Sequence, residues 1–564
     1  IFGHNLEHTR ACIYGGLSAQ VLRNRKFAGK PSGSDGCAAE WIPIGAEHTL
    51  YVLDSDNGLQ TSVAYTHHKE IGKEMMGTGK MNRRNECQAL DVQLLKENHI
   101  CGIRQEKLDL RACEYKLRII AKTSELVEIR VALMENGIED TNGSTYSFTL
   151  HPGNWQKENF SIHIPKAGMY SLSITFSKRA RVTFGVLSML PFDHFHGMRR
   201  DVIECMKEIG ISMLRWPGGN FAGEYRWQDG LLDADERAPL EAYMENETQP
   251  YTNGYDYNEV GIDEFIALCR EIGAEPFLTI NLANASPEEN AAWVEYCNGA
   301  DDTRYGKLRA QRGHKDAYQV RYWSLGNEMG YGHMEGPMTP GQYVMLARRQ
   351  MRAMLDVSPD LQLFSSGPYP SEEWGTKSAK ELAENVKYAS LHHYTYVPLD
   401  YSSDEAAKNT CQAIMDAPKE AYRLIKEMRT CLGNNIHISF DEWNCWYAWY
   451  RPSSAAEGLY AAGMLQLFLN ESNAMDMPVC CYFQPISEGA IEIKGNNCRL
   501  TATGQVFSML KAHCGGSLCP SLKNNSVAAT IKDNILTISM IHTGQEEPRV
   551  FKIQIRETYL MQNY

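Results

Sequence analysis

The chain has 564 residues, 43% of them hydrophobic and 22% charged, and a net charge of −13. That length points to about two to four domains, and the composition is that of a soluble globular protein able to bury large cores. The acidic balance speaks against a nucleic-acid partner, which needs a basic face to displace counterions from phosphates. The absence of any stretch of about 20 uncharged apolar residues speaks against a membrane span.

The chain opens on Ile1 rather than Met, already inside apolar sequence, and shows no signal peptide. The expectation is a truncated N-terminus, which leaves a secreted, periplasmic or cytoplasmic location open. Residues 1–36 begin with "IFGHNLEH" (Ile1 to His8), an apolar run that ends near a carboxylate, Glu7. Arg23, Arg25 and Lys26 make a short basic cluster, which reads as a solvated segment.

Residues 37–191 alternate polar and apolar positions. The runs are "YKLRI" (Tyr115 to Ile119), "VEIRVAL" (Val127 to Leu133), "FSIHI" (Phe160 to Ile164) and "YSLSITF" (Tyr170 to Phe176). Turn residues such as Asn142–Gly143 and Pro152–Gly153 separate them. Period-two strands without helices predict an antiparallel β-sandwich.

Residues 192–505 change texture, with short apolar runs alternating with helical stretches. The runs are "ISMLRW" (Ile211 to Trp216), "EPFLTINL" (Glu275 to Leu282), "VRYWSLG" (Val320 to Gly326), "LQLFSS" (Leu361 to Ser366), "KYASLHHY" (Lys387 to Tyr394), "IHISFDE" (Ile436 to Glu442) and "VCCYFQP" (Val479 to Pro485). Between them, Ile262, Phe265, Ile266, Cys269 and Ile272 keep helical spacing, with Gly273 placed as a helix-ending glycine. Tyr343, Leu346, Ala347, Met351, Met354 and Leu355 repeat the pattern. Continuous apolar strands alternating with helices predict a parallel sheet covered on both faces. Seven such strands, completed by Ile1 to His8, make a (β/α)8 TIM barrel, with the sandwich inserted after its first strand. Residues 506–564 return to alternation, in "ILTISMI" (Ile535 to Ile541) and "VFKIQI" (Val550 to Ile555), and predict a C-terminal β domain. The fold class is therefore α/β, a TIM barrel with two accessory β domains.

In such barrels the chemistry sits where strands end. Here the strand ends carry Glu7, then Pro217–Gly218–Gly219–Asn220, then Asn327–Glu328, His392 and Tyr394, Asp441–Glu442–Trp443, and Gln484. Taken one at a time, each has a plainer reading: a helix cap, a solvated acid, a satisfied core histidine, a tight turn. Together they put carboxylates, amides, an imidazole and rings on one rim, which suits a sugar's hydroxyls and C–H faces. Glu328 and Glu442, after strands four and seven, are the informative pair. Glycoside hydrolysis needs one acid that gives a proton to the leaving oxygen and one held ionised; about 5–5.5 Å between them means attack by the second and retained configuration. Asn327 is placed to bond a sugar 2-hydroxyl, and Tyr394 to hold the nucleophile's oxygen. No metal is expected, because the sixteen cysteines lack CxxC pairs and His392–His393 point to opposite faces of a strand.

These residues resemble glycoside hydrolase family 51, chiefly α-L-arabinofuranosidases. The matching segments are "GHNLEHTRACIYGG", "LRWPGGNFAGEYRWQDG", "EFIALCREIGAEPFLTINL", "WVEYCNG", "YWSLGNEMGYGH", "SLHHY" and "FDEWNCWY". The resemblance implies Glu328 as general acid/base, Glu442 as nucleophile, and Glu7, Asn220, Asn327, His392, Tyr394, Trp446 and Gln484 as substrate-binding residues. It implies no cofactor, a carbohydrate-binding-module-like sandwich, and an exo-acting retaining enzyme that trims arabinofuranosyl side chains from arabinoxylan, arabinan or their oligosaccharides. An endo-β-1,4-glucanase or β-xylosidase on the same scaffold stays open, as does a non-catalytic carbohydrate-binding protein. Relatives are often trimers or hexamers, so a homo-oligomer is open too. Two segments depart from the family pattern: "CCYFQPISEGAIEI" after strand eight, and a long tyrosine-rich loop, "ENETQPYTNGYDYNE", after strand two.

Overall fold

The computed structural model describes residues 2–55, 58–60, 88–135, 138–139, 145–223, 225–241, 252, 254–282, 284–330, 338–367, 372–519 and 526–542. Eight parallel strands close into a barrel: β1 (Gly3–Asn5), β2 (Met213–Trp216), β3 (Glu275–Thr279), β4 (Tyr322–Leu325), β5 (Gln362–Ser365), β6 (Val386–Thr395), β7 (His437–Cys445) and β8 (Val479–Tyr482). Each pairs with its neighbour in chain order, and β8 pairs with β1 to shut the ring. The short apolar run at the start of the chain is thus the eighth strand that the repeat requires.

Strand side chains alternate in direction, and the alternation sorts the barrel's contents. Leu214, Trp216, Leu278, Trp323, Leu363 and Ile438 belong to the large core beneath the surrounding helices. Phe277, Phe364, Val479 and Cys481, with Met213, Tyr322 and Tyr388, form a separate cluster inside the barrel. Its rings pack tightly: Phe364 stacks on Tyr388 at 4.2 Å and meets Phe277 at 4.4 Å. This is a floor, and on it the polar inward residues of the same strands stand.

The helices follow their sequence signals. Helix α1 (Arg200–Ile209) precedes β2, and α2 (Ile262–Ile272) ends at Gly273, whose φ of +74° is the left-handed cap that glycine adopts without a Cβ clash. The helix Pro340–Val357 buries Tyr343, Ala347, Met351 and Met354 on one face, and its first turn is closed by a Thr339–Gln342 capping box with proline at the first position. Helix α3 (Ala455–Glu471) precedes β8, and α4 (Ala502–Leu510) follows it.

Between β1 and β2 lie two antiparallel sheets. One orders Gln156–His163, Glu114–Thr123, Arg181–Pro191, Ala89–Leu94 and Thr49–Asp54; the other is centred on Cys101–Leu110, Gly168–Phe176 and Val127–Glu135. Their inner faces share one core that includes Leu90, Ile103, Leu117, Ile129, Leu172 and Phe184, so the sandwich is inserted in the barrel. The Asn142–Gly143 turn lies outside the described residues. Two residues of the basic cluster after β1 are not solvated, while Arg23 stays partly exposed. Arg25 and Lys26 are buried where sandwich and barrel meet. Arg25 pairs with Asp235 at 2.6 Å and Glu259 at 2.7 Å, and Lys26 donates to the carbonyls of Ala234, Arg237 and Tyr257. A short charge run cannot reveal partners more than two hundred residues away.

At the C-terminal end, Ser517–Leu518, Val527–Lys532 and Ile535–Met540 form an antiparallel sheet. It is tied to α3 by Asn470 Nδ2 donating to the Val527 carbonyl at 3.0 Å and Gln466 Nε2 donating to Ser539 Oγ at 3.1 Å. The expected strand Val550 to Ile555 lies outside the described residues. Among the described residues, no helix is long and apolar enough to cross a membrane.

Candidate active site

The inward residues above the aromatic floor are charged, and one of them organises the rest. Arg215 on β2 has the same parity as Met213, so its guanidinium enters the barrel, with its carbon 5.8 Å from the Phe277 ring. It donates from Nη1 to Glu442 Oε1 at 2.7 Å and to Asn5 Oδ1 at 3.1 Å, and from Nη2 to Asn327 Oδ1 at 2.7 Å. Asp441 Oδ2 lies 3.8 Å from its Nε. Burial alone would lower its pKa, but Glu442 and Asp441 outweigh that and raise it. Arg215 is therefore a fixed buried cation that partners the carboxylates of β7.

Glu442, on β7, is 4% exposed. Its Oε1 takes the Arg215 bond, and its Oε2 accepts from the Tyr394 hydroxyl at 2.6 Å. Burial, then the Glu442 charge, push the Tyr394 phenol well above its ordinary value, so it stays a donor. Glu328 follows β4 through Gly326–Asn327. Gly326 (φ +85°) and Glu328 (φ +46°) both lie in the left-handed region, which for Glu328 is sterically costly and turns the chain sharply at the strand's end. Glu328 Oε1 is bonded to His392 Nδ1 at 2.8 Å.

His392, on β6, joins the two acids. Its Nδ1 is also 3.5 Å from Glu442 Oε2, and its Nε2 is 3.0 Å from Ser390 Oγ and 3.5 Å from Asp441 Oδ1. Burial would lower its pKa, but Glu442, Asp441 and Glu328 raise it to about 10, so the ring is an imidazolium at neutral pH. Asp441 is held below the usual carboxylate range: burial opposes this, and the His392 bond and charge with Arg215 overcome it. Glu328, His392 and Glu442 present ligand atoms all within 4.8 Å of one another. That spacing would suit a cation, but a protonated His392, a donating Tyr394 and Arg215 already occupy the donor set. The residues make a closed ion-pair network.

The opposite wall is polar. Glu7 Oε1 accepts from the Phe221 N–H at 2.8 Å, and Asn327 Nδ2 donates to Asn220 Oδ1 at 3.2 Å. Gly219 lies between them: a Cβ there would sit 3.0 Å from Glu442 Oε1, 3.3 Å from Glu7 Oε1 and 3.4 Å from Asn327 Nδ2. Glu7, Asn220, Asn327, Glu328, His392, Tyr394 and Glu442 thus converge at the C-terminal mouth. Trp446 stands at the rim, 41% exposed, its ring perpendicular to Tyr394 at 6.0 Å. Gln484 stands behind Glu7. It is fully buried, its Oε1 accepts from the Glu7 N–H at 2.8 Å and its Nε2 reaches Thr9 Oγ1 at 3.3 Å, so it anchors the backbone of Glu7. Of the tyrosine-rich segment after β2, residues 245–251 and 253 lie outside the described residues, as do Tyr331 to His333.

A sequence profile described as "Alpha-L-arabinofuranosidase 1 domain" matches residues 205–409. Probable α-L-arabinofuranosidase C of Aspergillus terreus is 30% identical over 321 residues, 53% of this chain and 61% of that protein. An intracellular exo-α-(1→5)-L-arabinofuranosidase of Streptomyces lividans is 33% identical over 264 residues, 44% of this chain and 38% of that protein. An arabinose-bound family 51 α-L-arabinofuranosidase structure superposes with a TM-score of 0.68 over 96% of this chain and 86% of its own; at 14% identity this likeness speaks for the fold. The chain is related to the family 51 α-L-arabinofuranosidases. It spans about three fifths, 61%, of the length of the fungal relative.

The site residues to which sequence reasoning gave no role are Arg215, Asn5, Ser390 and Asp441, the last named only as part of a strand end. Arg215 left one signal: a cation inside an apolar strand run must either sit at the surface or meet a buried acid. Asn5 donates to the Asp441 carbonyl at 2.8 Å and Ser390 to Asp441 Oδ1 at 2.6 Å, and nothing local in the sequence announces either.

Proposed function

We propose that this chain is a retaining, exo-acting α-L-arabinofuranosidase working by double displacement. The observation that carries this reading is the approach of Glu328 and Glu442, whose nearest carboxylate oxygens lie within 4.8 Å across the barrel mouth. That is near the retaining spacing of about 5–5.5 Å and short of the roughly 6.5–9.5 Å by which an inverting enzyme admits a water between its base and the sugar. Glu442 attacks the anomeric carbon while Glu328 passes its proton to the departing oxygen, and the bond to the aglycone breaks as the glycosyl ester forms. Glu328 is then a carboxylate, and His392, 2.8 Å away, stabilises it. Water next attacks the anomeric carbon, Glu328 takes its proton, and Glu442 leaves. Arg215 and Tyr394 return to their bonds with the freed carboxylate. Glu7, Asn220 and Asn327 are the hydroxyl-binding wall. The Streptomyces lividans relative's name supports exo action on arabinofuranosides.

The test is hydrolysis of 4-nitrophenyl α-L-arabinofuranoside beside the β-xyloside and β-glucoside, with the first product's anomer followed by NMR. The expected result is preference for the arabinofuranoside and release of the α anomer. A β first product, or faster turnover of the xyloside or glucoside, overturns the reading. Glu442→Ala is expected to abolish turnover while arabinose binding survives, and retained turnover would remove Glu442 from the mechanism.

A further inference from the structure

Among the described residues, the strongly exposed Phe, Tyr and Trp side chains are Phe192, Tyr396, Tyr401, Trp446 and Tyr450. All but Phe192 lie in the two loops that leave β6 and β7, the strands carrying His392, Tyr394 and Glu442. The rings form a strip leading outward from the nucleophile. Tyr394, bonded to Glu442, has Trp446 at 6.0 Å and Trp449 at 5.4 Å; these two tryptophans are 4.3 Å apart, and Tyr450 lies 6.4 Å beyond Trp449. The strip is braced from behind, since the Arg10 guanidinium lies over Trp449 at 4.6 Å and is itself paired with the buried Glu488. Exposure runs from half-buried Trp449 to 67% at Tyr450 and 70% at Tyr396. Leaving large rings wet forfeits hydrophobic stabilisation unless something covers them, and the C–H faces of sugars are their natural cover.

We propose that this strip, with Tyr396 on the loop that leaves β6 two residues after Tyr394, is an aglycone platform: a stacking surface for the sugar rings of the oligosaccharide from which the terminal arabinose is cut. Tyr450 and Tyr396 set the preference for longer substrates. The proposal rests on the arabinofuranosidase reading, and its test separates the two. The kcat/KM for an arabino-oligosaccharide is compared with that for methyl α-L-arabinofuranoside, whose aglycone has no ring, in the wild type, Tyr450→Ala, Tyr396→Ala and Tyr450→Phe. The oligosaccharide-to-methyl ratio is expected to fall about tenfold in each alanine variant and to be kept by Tyr450→Phe. A ratio within about twofold of wild type in both alanine variants overturns the platform. If the wild type cleaves neither compound, the activity reading falls, and calorimetric titration of the oligosaccharide into wild type and Tyr450→Ala decides the platform. Equal affinity overturns it, and weaker binding by the variant supports it.

A separate observation concerns two thiols. Cys205 on α1 and Cys498 on the hairpin Ile491–Leu500 bring their Sγ atoms to 3.3 Å, both half-buried beside an open groove. The Gly495 carbonyl of the same hairpin accepts from Arg199 Nη1 at 2.8 Å, so the two elements are already docked. The geometry points to a disulfide staple across the seam where β8 meets β1. It forms by exchange with a low-molecular-weight disulfide such as oxidised glutathione. One thiolate displaces a glutathione thiolate, the second cysteine resolves the mixed disulfide, and the two thiol protons end on the released glutathiones. The expected result after equilibration is a loss of two hydrogens without an adduct, a Cys205–Cys498 cross-linked peptide, and a higher thermal midpoint that Cys205→Ser and Cys498→Ser both lack. Both cysteines still open to alkylation in the oxidised protein, or paired elsewhere, overturns the staple.

Discussion

At the scale of single residues, the site depends on two buried cations, Arg215 and His392, between three buried acids, Glu328, Asp441 and Glu442. Arg215 holds one oxygen of Glu442 and the amide oxygen of Asn327. Its replacement leaves Glu442 with Tyr394 at 2.6 Å and His392 at 3.5 Å, and leaves Asn327 with only its bond to Asn220. Arg215→Gln is expected to lower kcat/KM on the aryl arabinofuranoside by about 100-fold or more, mostly in kcat, because the lost contact orients and stabilises the attacking group; a change in KM alone contradicts this. His392 gives a pH signature. Its folded pKa of about 10 lies above its ordinary 6.5, so its contribution to stability is complete below about pH 6.5 and lost as pH rises through about 10. The gap in thermal midpoint between wild type and His392→Asn is therefore expected to be widest near pH 6 and to close towards pH 10. A gap that widens with rising pH contradicts an imidazolium. The two carboxylates were legible because each ends an apolar run and matches a family segment. Arg215 was not, because its meaning depends on facing inward, which periodicity gives only once the sheet is known to be closed.

At the scale of elements, all seven apolar runs became barrel strands, and the eighth lay where the count required it. Local periodicity carried that much because parallel strands buried on both faces read as unbroken apolar runs. What it missed are irregularities of pairing. The β6–β7 register shifts between Ser390 and His392, and the β7–β8 register between Phe440 and Trp443. In a regular strand Asp441 and Glu442 would face opposite sides; here both reach the ring of His392. The turn after β2 is equally specific. Gly218 has φ +109° and a Cβ would fall 2.3 Å from Glu7 Cβ, whereas at Gly219 the three atoms nearest a Cβ are the polar ends of Glu442, Glu7 and Asn327, none closer than 3.0 Å. Gly218→Ala is expected to cost both stability and activity, by a strained backbone and a direct clash. Gly219→Ala is expected to lower activity about tenfold or more with little change in thermal midpoint, since polar tips shift more cheaply than backbone. Equal losses of stability in the two variants would contradict that division.

At the scale of the whole molecule, the inserted sandwich is joined to the barrel by a buried charge cluster rather than by an apolar seam alone. Asp235, 3% exposed, accepts from Arg25 of the segment after β1 at 2.6 Å and from Arg118 of the sandwich strand Glu114–Thr123 at 2.5 Å. Arg25 also holds Glu259, which in turn accepts from Ser18 Oγ at 2.6 Å. Three parts of the chain far apart in sequence thus share one carboxylate. Burial would raise its pKa, but Arg25 and Arg118 outweigh burial and bring it down to about 2. A depressed carboxylate stabilises the fold above its ordinary value near 3.8, and the contribution disappears as pH falls through about 2. Asp235→Asn keeps the shape but removes the carboxylate shared by buried Arg25, which keeps Glu259, and part-buried Arg118, which keeps Asp233 at 3.6 Å, so it is expected to cost about 3 kcal/mol at pH 7, since removing one partner of a buried pair leaves the other charge under-compensated. Thermal or urea unfolding of wild type and variant between pH 7 and 2.5 checks the sign: the gap should be full at neutral pH and shrink as the medium acidifies below about pH 4. Because the aspartate lies between the domains, the lost stability should appear first as protease cleavage near the sandwich–barrel junction, ahead of any loss of barrel helicity. Loss of helicity before such cleavage would mean that the cluster supports the barrel itself and not the join.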